Sequence, residues 1–215
     1  MKPDWYLDWS GFAVAIIASG PSAKKSNIGA LRECMPVIAI KENVELAPWA
    51  DVVYGCDSAW WKAKNGLPSF GGLKVSWRGN STQPPAPFPG IKFVDIDANH
   101  DQLIFDPSGK LGAGGNSGFQ AVNLAIQFGA KHILLVGFDM HDRSGAHWYG
   151  RNYWPQGNNP TEDNFRRWRR AFELAATKLR DRGIQVFNAS NNSSLKCFEQ
   201  RSIDDALRIW GLDAA

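Results

Sequence analysis

Short, fully apolar runs recur along the chain and are separated by longer amphipathic or polar stretches. Runs of this kind, rich in Val and Ile and without polar alternation, are typical of strands that are covered on both faces of a sheet. They predict strands within Phe12–Ala18, Pro36–Ile40, Ala50–Asp57, Gly72–Trp77, Ile91–Ile96, His132–Phe138 and Gly183–Ser190.

Stretches with apolar residues at helical spacing lie between and after these runs, and Thr161 or Asn159 can cap the longest of them. They predict helices over Ala23–Arg32, Ser117–Phe128, Thr161–Arg182 and Ile203–Trp210. Strands that alternate with helices predict an α/β fold, a Rossmann-like, doubly wound, mainly parallel sheet with helices on both faces. We expect one domain over residues 1–215, in which the strands at Phe12–Ala18, Pro36–Ile40, Ala50–Gly55 and His132–Val136 are parallel neighbours.

Three segments have no regular periodicity. Gly79–Gly90 is rich in proline and predicts an irregular connection. A short hairpin arm is expected within His100–Phe105. Arg143–Pro160 is long, polar and aromatic, and a loop of this length inside a compact domain is usually functional or disordered. Its tryptophans and tyrosines argue against disorder, so we predict a lid or small subdomain at about residues 143–160.

The composition limits the classes of protein that the chain can belong to. Of 215 residues, 44% are hydrophobic and the net charge is +3, which suits a phosphate-bearing small molecule as well as a nucleic acid. The basic run Arg166–Arg170 is interpreted as a solvated helix face, and without an RNA-binding signature a nucleic-acid partner is not expected. The three cysteines form no CxxC motif, and the longest apolar run, Phe12–Ala18, is too short to span a bilayer. We therefore expect a cytoplasmic protein without a membrane span.

The first candidate site is the loop that follows the first strand, with the sequence SGPSAKK. A glycine allows the backbone to approach a phosphate, and a following helix N-terminus supplies free N–H groups. The loop has neither the GxGxxG nor the Walker pattern, and a plain turn with proline in the first helical turn is the alternative. The residues predicted to bind a nucleotide here are Ser19, Gly20, Pro21 and Ser22.

The second candidate is GAGGNSG, residues 112–118, directly before a predicted helix. Its N–H groups, the Asn116 amide and the Ser117 hydroxyl form a cradle for a phosphate or a ribose. Helix capping by Asn or Ser competes with this interpretation, but capping does not explain four glycines. The predicted nucleotide-binding residues here are Gly115, Asn116, Ser117 and Gly118. Asn43, Asp57 and Gly137 are also predicted to bind the nucleotide, because each follows another predicted strand. Asn43 and Asp57 are equally suited to turns or helix caps.

A third candidate is the segment Gly137–Gly150, which places Asp139, His141, Asp142 and His147 after a strand end. Carboxylates and imidazoles at this spacing resemble a metal site only loosely. An imidazole titrates near neutral pH, so a general base is the better interpretation of one histidine. The predicted catalytic residues are His147, Asp139 and Asp142.

Taken in order, the segments AIIASGPS, VIAIKEN, VVYGCD, NSGFQAVNLAIQFGAKHILLVGFDM and HWYG resemble two families. They are similar to the bacterial sialyltransferases that modify lipo-oligosaccharide, and to the 6-hydroxymethylpterin diphosphokinase-like family, most closely to its phage and prophage members. The resemblance covers roughly Phe12–Ser194. It departs from the sialyltransferases at Ser19, where they have asparagine, and it lacks the acidic and histidine-rich metal motifs of the pterin kinases. The resemblance implies that a nucleotide is held by Gly20, Pro21, Ser22, Asn43, Asn116, Ser117 and Gly118, and that His147 is a base carried by a lid.

These observations predict a transferase that uses a nucleotide-activated sugar. His147 would deprotonate an acceptor hydroxyl, with Asp139 or Asp142 orienting it. One alternative is a pyrophosphokinase that uses ATP and Mg²⁺, for which only Asp57, Asp139 and Asp142 could hold the metal. Another is a phage-encoded protein that binds a nucleotide without catalysis, in the host cytoplasm. The ligand class is a nucleotide or nucleotide-sugar, no resident metal is required, and the sequence is compatible with a homo-oligomer.

Overall fold

The computed structural model describes residues 1–212, and their fold is built on one nine-stranded parallel sheet. The strands are β1 (Ala13–Ile17), β2 (Val37–Ile40), β3 (Val52–Gly55), β4 (Leu73–Trp77), β5 (Ile91–Asp97), β6 (Lys110–Gly112), β7 (His132–Val136), β8 (Gln185–Asn188) and β9 (Glu199–Gln200). Their spatial order is β6-β5-β4-β3-β2-β1-β7-β8-β9. Every neighbouring pair runs parallel, which confirms the predicted fold class and makes β7, β1, β2 and β3 the expected run of neighbours.

Helices cover both faces of this sheet. They are α1 (Ser58–Ala63), α2 (Ser117–Gln127), α3 (Glu162–Asp181) and α4 (Ile203–Trp210). Short 3₁₀ turns at Ala23–Lys25 and Ile28–Leu31 connect β1 to β2, and one at Lys41–Glu45 connects β2 to β3. Thr161 caps α3 through a reciprocal pair of bonds with Asn164, as the sequence predicts. No helix in this part of the chain combines the length and the apolar character that a membrane crossing requires.

Alternate residues of β1 divide the core into two layers. Val14 and Ile16 are fully buried and face the layer that contains α2 and α3. Ala15 and Ile17 are equally buried on the opposite face, which packs against the 3₁₀ turns, α1 and α4. Burial on both faces explains why the sequence of β1 shows a continuous apolar run rather than an alternating pattern.

The predicted helix at Ala23–Arg32 is wrong. Two 3₁₀ turns occupy this segment, and Ser26 between them has an extended backbone (φ −87°, ψ 148°). Asn27 and Gly29 follow, and both residue types have low helix propensity, so the apolar spacing is met by turns instead.

The predicted hairpin arm within His100–Phe105 is also wrong. This segment contains no strand, and the chain enters the sheet later, as β6. Asn123 of α2 replaces a strand partner here, because its Oδ1 accepts from Ile104 N–H at 3.0 Å and its Nδ2 donates to Ile104 C=O at 2.7 Å. The short elements α1, β6 and β9 carry too few residues for a periodic signal and are absent from the prediction.

The chain leaves β1 towards β2 on one side, and β7 lies on the other side. Such a change of direction opens a crevice beyond the carboxyl ends of the strands, where ligands of doubly wound sheets bind. The loops after β1, β2, β3 and β7 all begin at this edge, and the predicted lid at residues 143–160 follows the loop after β7.

Candidate functional site

A cavity of about 300 Å³ lies at this edge, and we call it the central cavity. Its walls come from the loops after β1, β2, β3 and β7, the N-terminus of α2, the lid segment and the start of α3. This volume is at the lower end of the range for small-molecule sites. Lys41 lines the cavity and was not predicted as a site residue. Ten residues that were predicted as site residues also line it: Ser19, Gly20, Asp57, Gly115, Asn116, Ser117, Gly118, Gly137, Asp139 and His147.

Four predicted site residues do not line the cavity: Pro21, Ser22, Asn43 and Asp142. Asp142 is exposed, where it cannot orient a ligand held in the central cavity. Ser22 and Asn43 are buried in hydrogen-bonded positions behind the cavity wall, which gives each of them a structural task.

Ser22 joins the loop after β1 to the loop after β7. Its backbone N–H donates to Asp139 Oδ2 at 3.0 Å, and its hydroxyl makes a short hydrogen bond to Asp139 Oδ1. Both carboxylate oxygens of Asp139 are therefore engaged by the protein, although the residue borders the cavity. The contact also explains Gly20, where an added Cβ would lie 2.5 Å from both Asp139 Oδ1 and Gly137 C=O.

The loop before α2 is shaped by helix capping and by close packing. Asn116 Oδ1 accepts from Phe119 N–H at 2.9 Å, and Asn116 Nδ2 donates to Gly114 C=O at 2.9 Å. Gly114 and Gly115 have positive φ values of 54° and 73°, which glycine adopts without strain. The first N–H groups of a helix have no carbonyl within that helix, and Ser117 and Gly118 place theirs at the cavity wall.

Lys41 and Asp57 form an ion pair at the ends of β2 and β3. Burial alone would lower the pKa of Lys41, but the neighbouring carboxylate raises it overall, and Lys41 in turn lowers the pKa of Asp57 against the effect of burial. Beside them, burial and Asp57 raise the pKa of the Cys56 thiol to about 12. Lys41 was not predicted from the sequence as a site residue, although it directly follows the predicted strand Pro36–Ile40.

Asn43 holds the lid rather than facing the cavity. It is fully buried, its Nδ2 donates to Ile40 C=O at 2.6 Å, and its Oδ1 accepts from Trp148 Nε1 at 2.9 Å. The backbone N–H of Trp148 also donates to Ser19 C=O at 2.9 Å. These two bonds attach the lid segment to the loops after β2 and β1.

Three lysines reinforce this attachment from outside the lid. The ammonium groups of Lys24, Lys41 and Lys64 lie 5.7, 5.8 and 5.6 Å from the ring centroids of Trp148, Trp154 and Tyr153 respectively. Such cation–π contacts each contribute about 0.5–1 kcal/mol at exposed sites. The lid segment is therefore packed against the body of the protein in this structure.

His147 lies within this lid and differs from the other histidine of the cavity wall. Its Nδ1 is 2.8 Å from Ser19 Oγ, and its ring stacks on Tyr149 with centroids 4.9 Å apart and planes inclined by 9°. Its Nε2 is buried without a hydrogen-bond partner. In His141, by contrast, Nδ1 accepts from Arg143 N–H at 3.2 Å and Nε2 lies 3.1 Å from Asn192 C=O.

Burial, followed by the charge of Lys41, lowers the pKa of His147 to about 4. The imidazole is thus neutral at physiological pH, the form in which it can accept a proton. Because Nε2 is covered, a hydroxyl group reaches it only when the lid segment shifts.

The cavity is also lined by amide and aromatic side chains that were not predicted from the sequence as site residues. Trp168 donates from Nε1 to Gly115 C=O at 2.8 Å, which fixes the start of α3 against the loop before α2. Among residues 1–212, no cluster of three or more His, Cys, Asp or Glu side chains is arranged to hold a metal ion. The further lining residues from the lid segment and the start of α3 are Asn152, Asn158, Asn159, Pro160, Asn164, Phe165 and Trp168.

No protein-family model matches the chain, and no curated protein matches it. Among solved structures, the chain is similar to the sialyltransferase CstII from Campylobacter jejuni in complex with the substrate analogue cytidine-5'-monophosphate, with a TM-score of 0.58 and 12% identity over 95% of this chain and 99% of that chain. The structure of CST-II with a trisaccharide acceptor and CMP gives a TM-score of 0.55 and 12% identity, over 94% and 100% of the two chains.

The MAf glycosyltransferase from Magnetospirillum magneticum AMB-1 also matches, with a TM-score of 0.55 and 19% identity over 95% of this chain and 38% of that chain. At these identities the similarity shows that the fold is shared. The expected relation to sialyltransferases therefore holds at the level of fold, and the resemblance to pterin kinase-like phage proteins stays a prediction.

Proposed function

We propose that the protein is a glycosyltransferase that takes its sugar from a nucleotide-activated donor. The observation that carries this proposal is the convergence of two glycine-containing loops and of His147, whose Nε2 has no hydrogen-bond partner, on one cavity. The fold shared with CstII and with MAf supports it, since the solved CstII structures hold CMP in one case and CMP with a trisaccharide acceptor in the other.

The donor phosphate would lie at the N-terminus of α2. The N–H groups of Ser117 and Gly118 and the positive end of the helix dipole favour an anion there. As the bond between the sugar and the phosphate breaks, the departing nucleotide keeps the electron pair, and these fixed donors stabilise its new charge.

His147 would act as the general base. In this mechanism Nε2 takes the proton of an acceptor hydroxyl group while the hydroxyl oxygen attacks the anomeric carbon of the donor sugar. The lid segment would first have to shift so that the acceptor reaches Nε2. Its return over the bound substrates would exclude water, which would otherwise compete with the acceptor.

The pyrophosphokinase alternative needs carboxylates that are free to bind Mg²⁺. Asp57 is paired with Lys41, both oxygens of Asp139 accept from Ser22, and Asp142 lies outside the cavity. A metal ion would have to displace a lysine or break the link between the two loops. These contacts favour the glycosyltransferase over the kinase.

The test is a thermal-shift screen of nucleotides and nucleotide-sugars, each with and without Mg²⁺, followed by a transfer assay with the donor that stabilises most. We expect stabilisation by a pyrimidine or purine nucleotide without Mg²⁺. Stabilisation by ATP only with Mg²⁺ would favour the kinase, and nucleotide binding without transfer or hydrolysis would favour a non-catalytic binding protein.

Two variants of Ser117 show whether the α2 N-terminus holds the phosphate. Ser117 is the first helical residue and follows Asn116 in an extended conformation, so Ser117→Pro removes one N–H group at a position that accepts proline. Ser117→Ala is the matched control, because it removes the hydroxyl and keeps the N–H group. We expect Ser117→Pro to weaken nucleotide binding about tenfold beyond Ser117→Ala, since a hydrogen bond to a charged group is worth about 1.5–3 kcal/mol. Equal affinities would place the phosphate elsewhere.

A further inference from the structure

Ser19 is the first polar residue after β1, and its hydroxyl oxygen lies 2.8 Å from Nδ1 of His147. We propose that Ser19 is a positioning residue that accepts a hydrogen bond from Nδ1–H and so holds His147 in the tautomer whose Nε2 carries the lone pair. The proposal rests on the function proposed above, because this tautomer is the one in which Nε2 can take a proton from a hydroxyl group.

The hydrogen bonds of Asn152 show in which direction the hydroxyl of Tyr149 donates. Asn152 Nδ2 donates to Asn158 C=O, which has no proton to give, so Asn152 Oδ1 is the acceptor oxygen of that amide. The Tyr149 hydroxyl, 2.8 Å from this Oδ1, must therefore donate to it. A phenol has one proton, so the Tyr149 oxygen can only accept from its other neighbours.

The Ser19 hydroxyl is therefore not needed as an acceptor by Tyr149. Burial raises the pKa of the Tyr149 phenol, so the phenol keeps its proton at neutral pH and donates it to Asn152. The Ser19 oxygen can thus accept from His147 Nδ1–H, from which it lies 2.8 Å away, and this bond places the proton of the imidazole on Nδ1.

The surroundings of Nε2 lead to the same tautomer independently. If Nε2 carried the proton, its N–H group would be buried without an acceptor, since Nε2 has no partner in the structure. Buried N–H groups without a partner are rare and costly. The stacked ring of Tyr149 fixes the plane of the imidazole, so the ring cannot turn to offer this proton to another group.

Imidazole ¹⁵N chemical shifts report the tautomer directly and need neither substrate nor activity. We expect His147, assigned by the loss of its signals in His147→Gln, to have a protonated Nδ1 and an unprotonated Nε2 at neutral pH. Ser19→Ala removes the acceptor of Nδ1–H and should move the population towards the Nε2–H form.

Ser26→Ala is the matched control, because it also removes a serine hydroxyl that makes one hydrogen bond, from Ser26 Oγ to Ser22 C=O at 2.9 Å, outside the cavity. Its ¹⁵N shifts should equal those of the wild type. A wild-type His147 in the Nε2–H form would overturn the proposal, and so would a tautomer that Ser19→Ala does not change.

Kinetics separate positioning from a purely structural role. Ser19→Ala should lower kcat about tenfold, as the loss of one ordinary hydrogen bond allows, with KM and nucleotide affinity within a few fold of the wild type. Ser19→Thr, which keeps the hydroxyl, should restore most of kcat. If the ¹⁵N shifts are as expected and no donor gives transfer, the proposed function fails while the role of Ser19 in setting the tautomer stands.

Discussion

Replacing His147 with Gln should change how the stability of the protein depends on pH. Burial and the nearby Lys41 ammonium lower the pKa of the folded imidazole from 6.5 to about 4. Between these values the unfolded chain takes up a proton at this residue and the folded protein does not. The contribution of His147 to stability is therefore complete above pH 6.5 and is lost as the pH falls towards 4.

The size of the effect follows from the two pKa values. Each unit of pKa difference corresponds to about 1.4 kcal/mol, so the complete difference is about 3 kcal/mol. At about pH 4.5 the unfolded imidazole is almost fully protonated and the folded one only in part, which gives a loss of about 2–3 kcal/mol relative to about pH 8.

Urea denaturation of the wild type and of His147→Gln at a series of pH values measures this quantity. Subtracting the two stability curves removes the contributions of every other titrating group, to the extent that they do not interact with His147. The difference should shrink by about 2–3 kcal/mol between about pH 8 and about pH 4.5, because the variant has no imidazole to protonate. His100→Gln, which removes an exposed imidazole from the loop after β5, gives the baseline for such a substitution.

Parallel curves for the wild type and His147→Gln would refute the reasoning. They would mean that water reaches the imidazole in the folded protein and that the lid is not packed as the contacts with Ser19 and Tyr149 require. The measurement needs no substrate, so it examines the site independently of the proposed reaction.

Two further substitutions examine the loops around the cavity. Gly20→Ala should lower the free energy of unfolding, measured by urea denaturation, by about 1–3 kcal/mol, because its Cβ would lie 2.5 Å from Asp139 Oδ1. Gly71→Ala is the control, because a Cβ there meets no atom within 4 Å, and it should change the free energy of unfolding by less than about 1 kcal/mol. Trp148→Phe should cost about 1–3 kcal/mol and make the lid more sensitive to limited proteolysis, because Asn43 Oδ1 loses its donor while buried. An equal loss of stability in both glycine variants, or an unchanged cleavage rate in the lid, would contradict these contacts.

The sheet could be predicted from the sequence because its strands are buried on both faces. The runs at β1, β2, β3 and β7 consist almost wholly of apolar residues, and no other arrangement covers two faces of such short segments. The edge strands β6 and β9 have three and two residues and leave no comparable pattern. Their position depends on pairing with distant parts of the chain.

The position of the candidate site could be predicted from the sequence, but the roles of its individual side chains could not. The order of strands brings the loops containing Ser19, Asn116 and His147 to one edge, and that order follows from general rules of topology. Which side chain faces the cavity depends on contacts between residues far apart in the chain. The bond between Ser22 and Asp139 spans 117 positions, and no local pattern indicates it.

Lys41 contacts both the wall of the central cavity and the lid segment. On one side it is paired with Asp57, whose side chain is 46% exposed and faces the cavity, and on the other it lies over the ring of Trp154 in the lid. A ligand that draws the ammonium group away from Asp57 would also change its contact with the lid. Three cation–π contacts of about 0.5–1 kcal/mol each, with the two hydrogen bonds of Trp148 at about 1 kcal/mol each, hold the lid by a few kcal/mol in total. A ligand therefore uncovers Nε2 of His147 only if it binds the protein with the lid shifted more tightly, by at least this free energy, than it binds the protein with the lid packed.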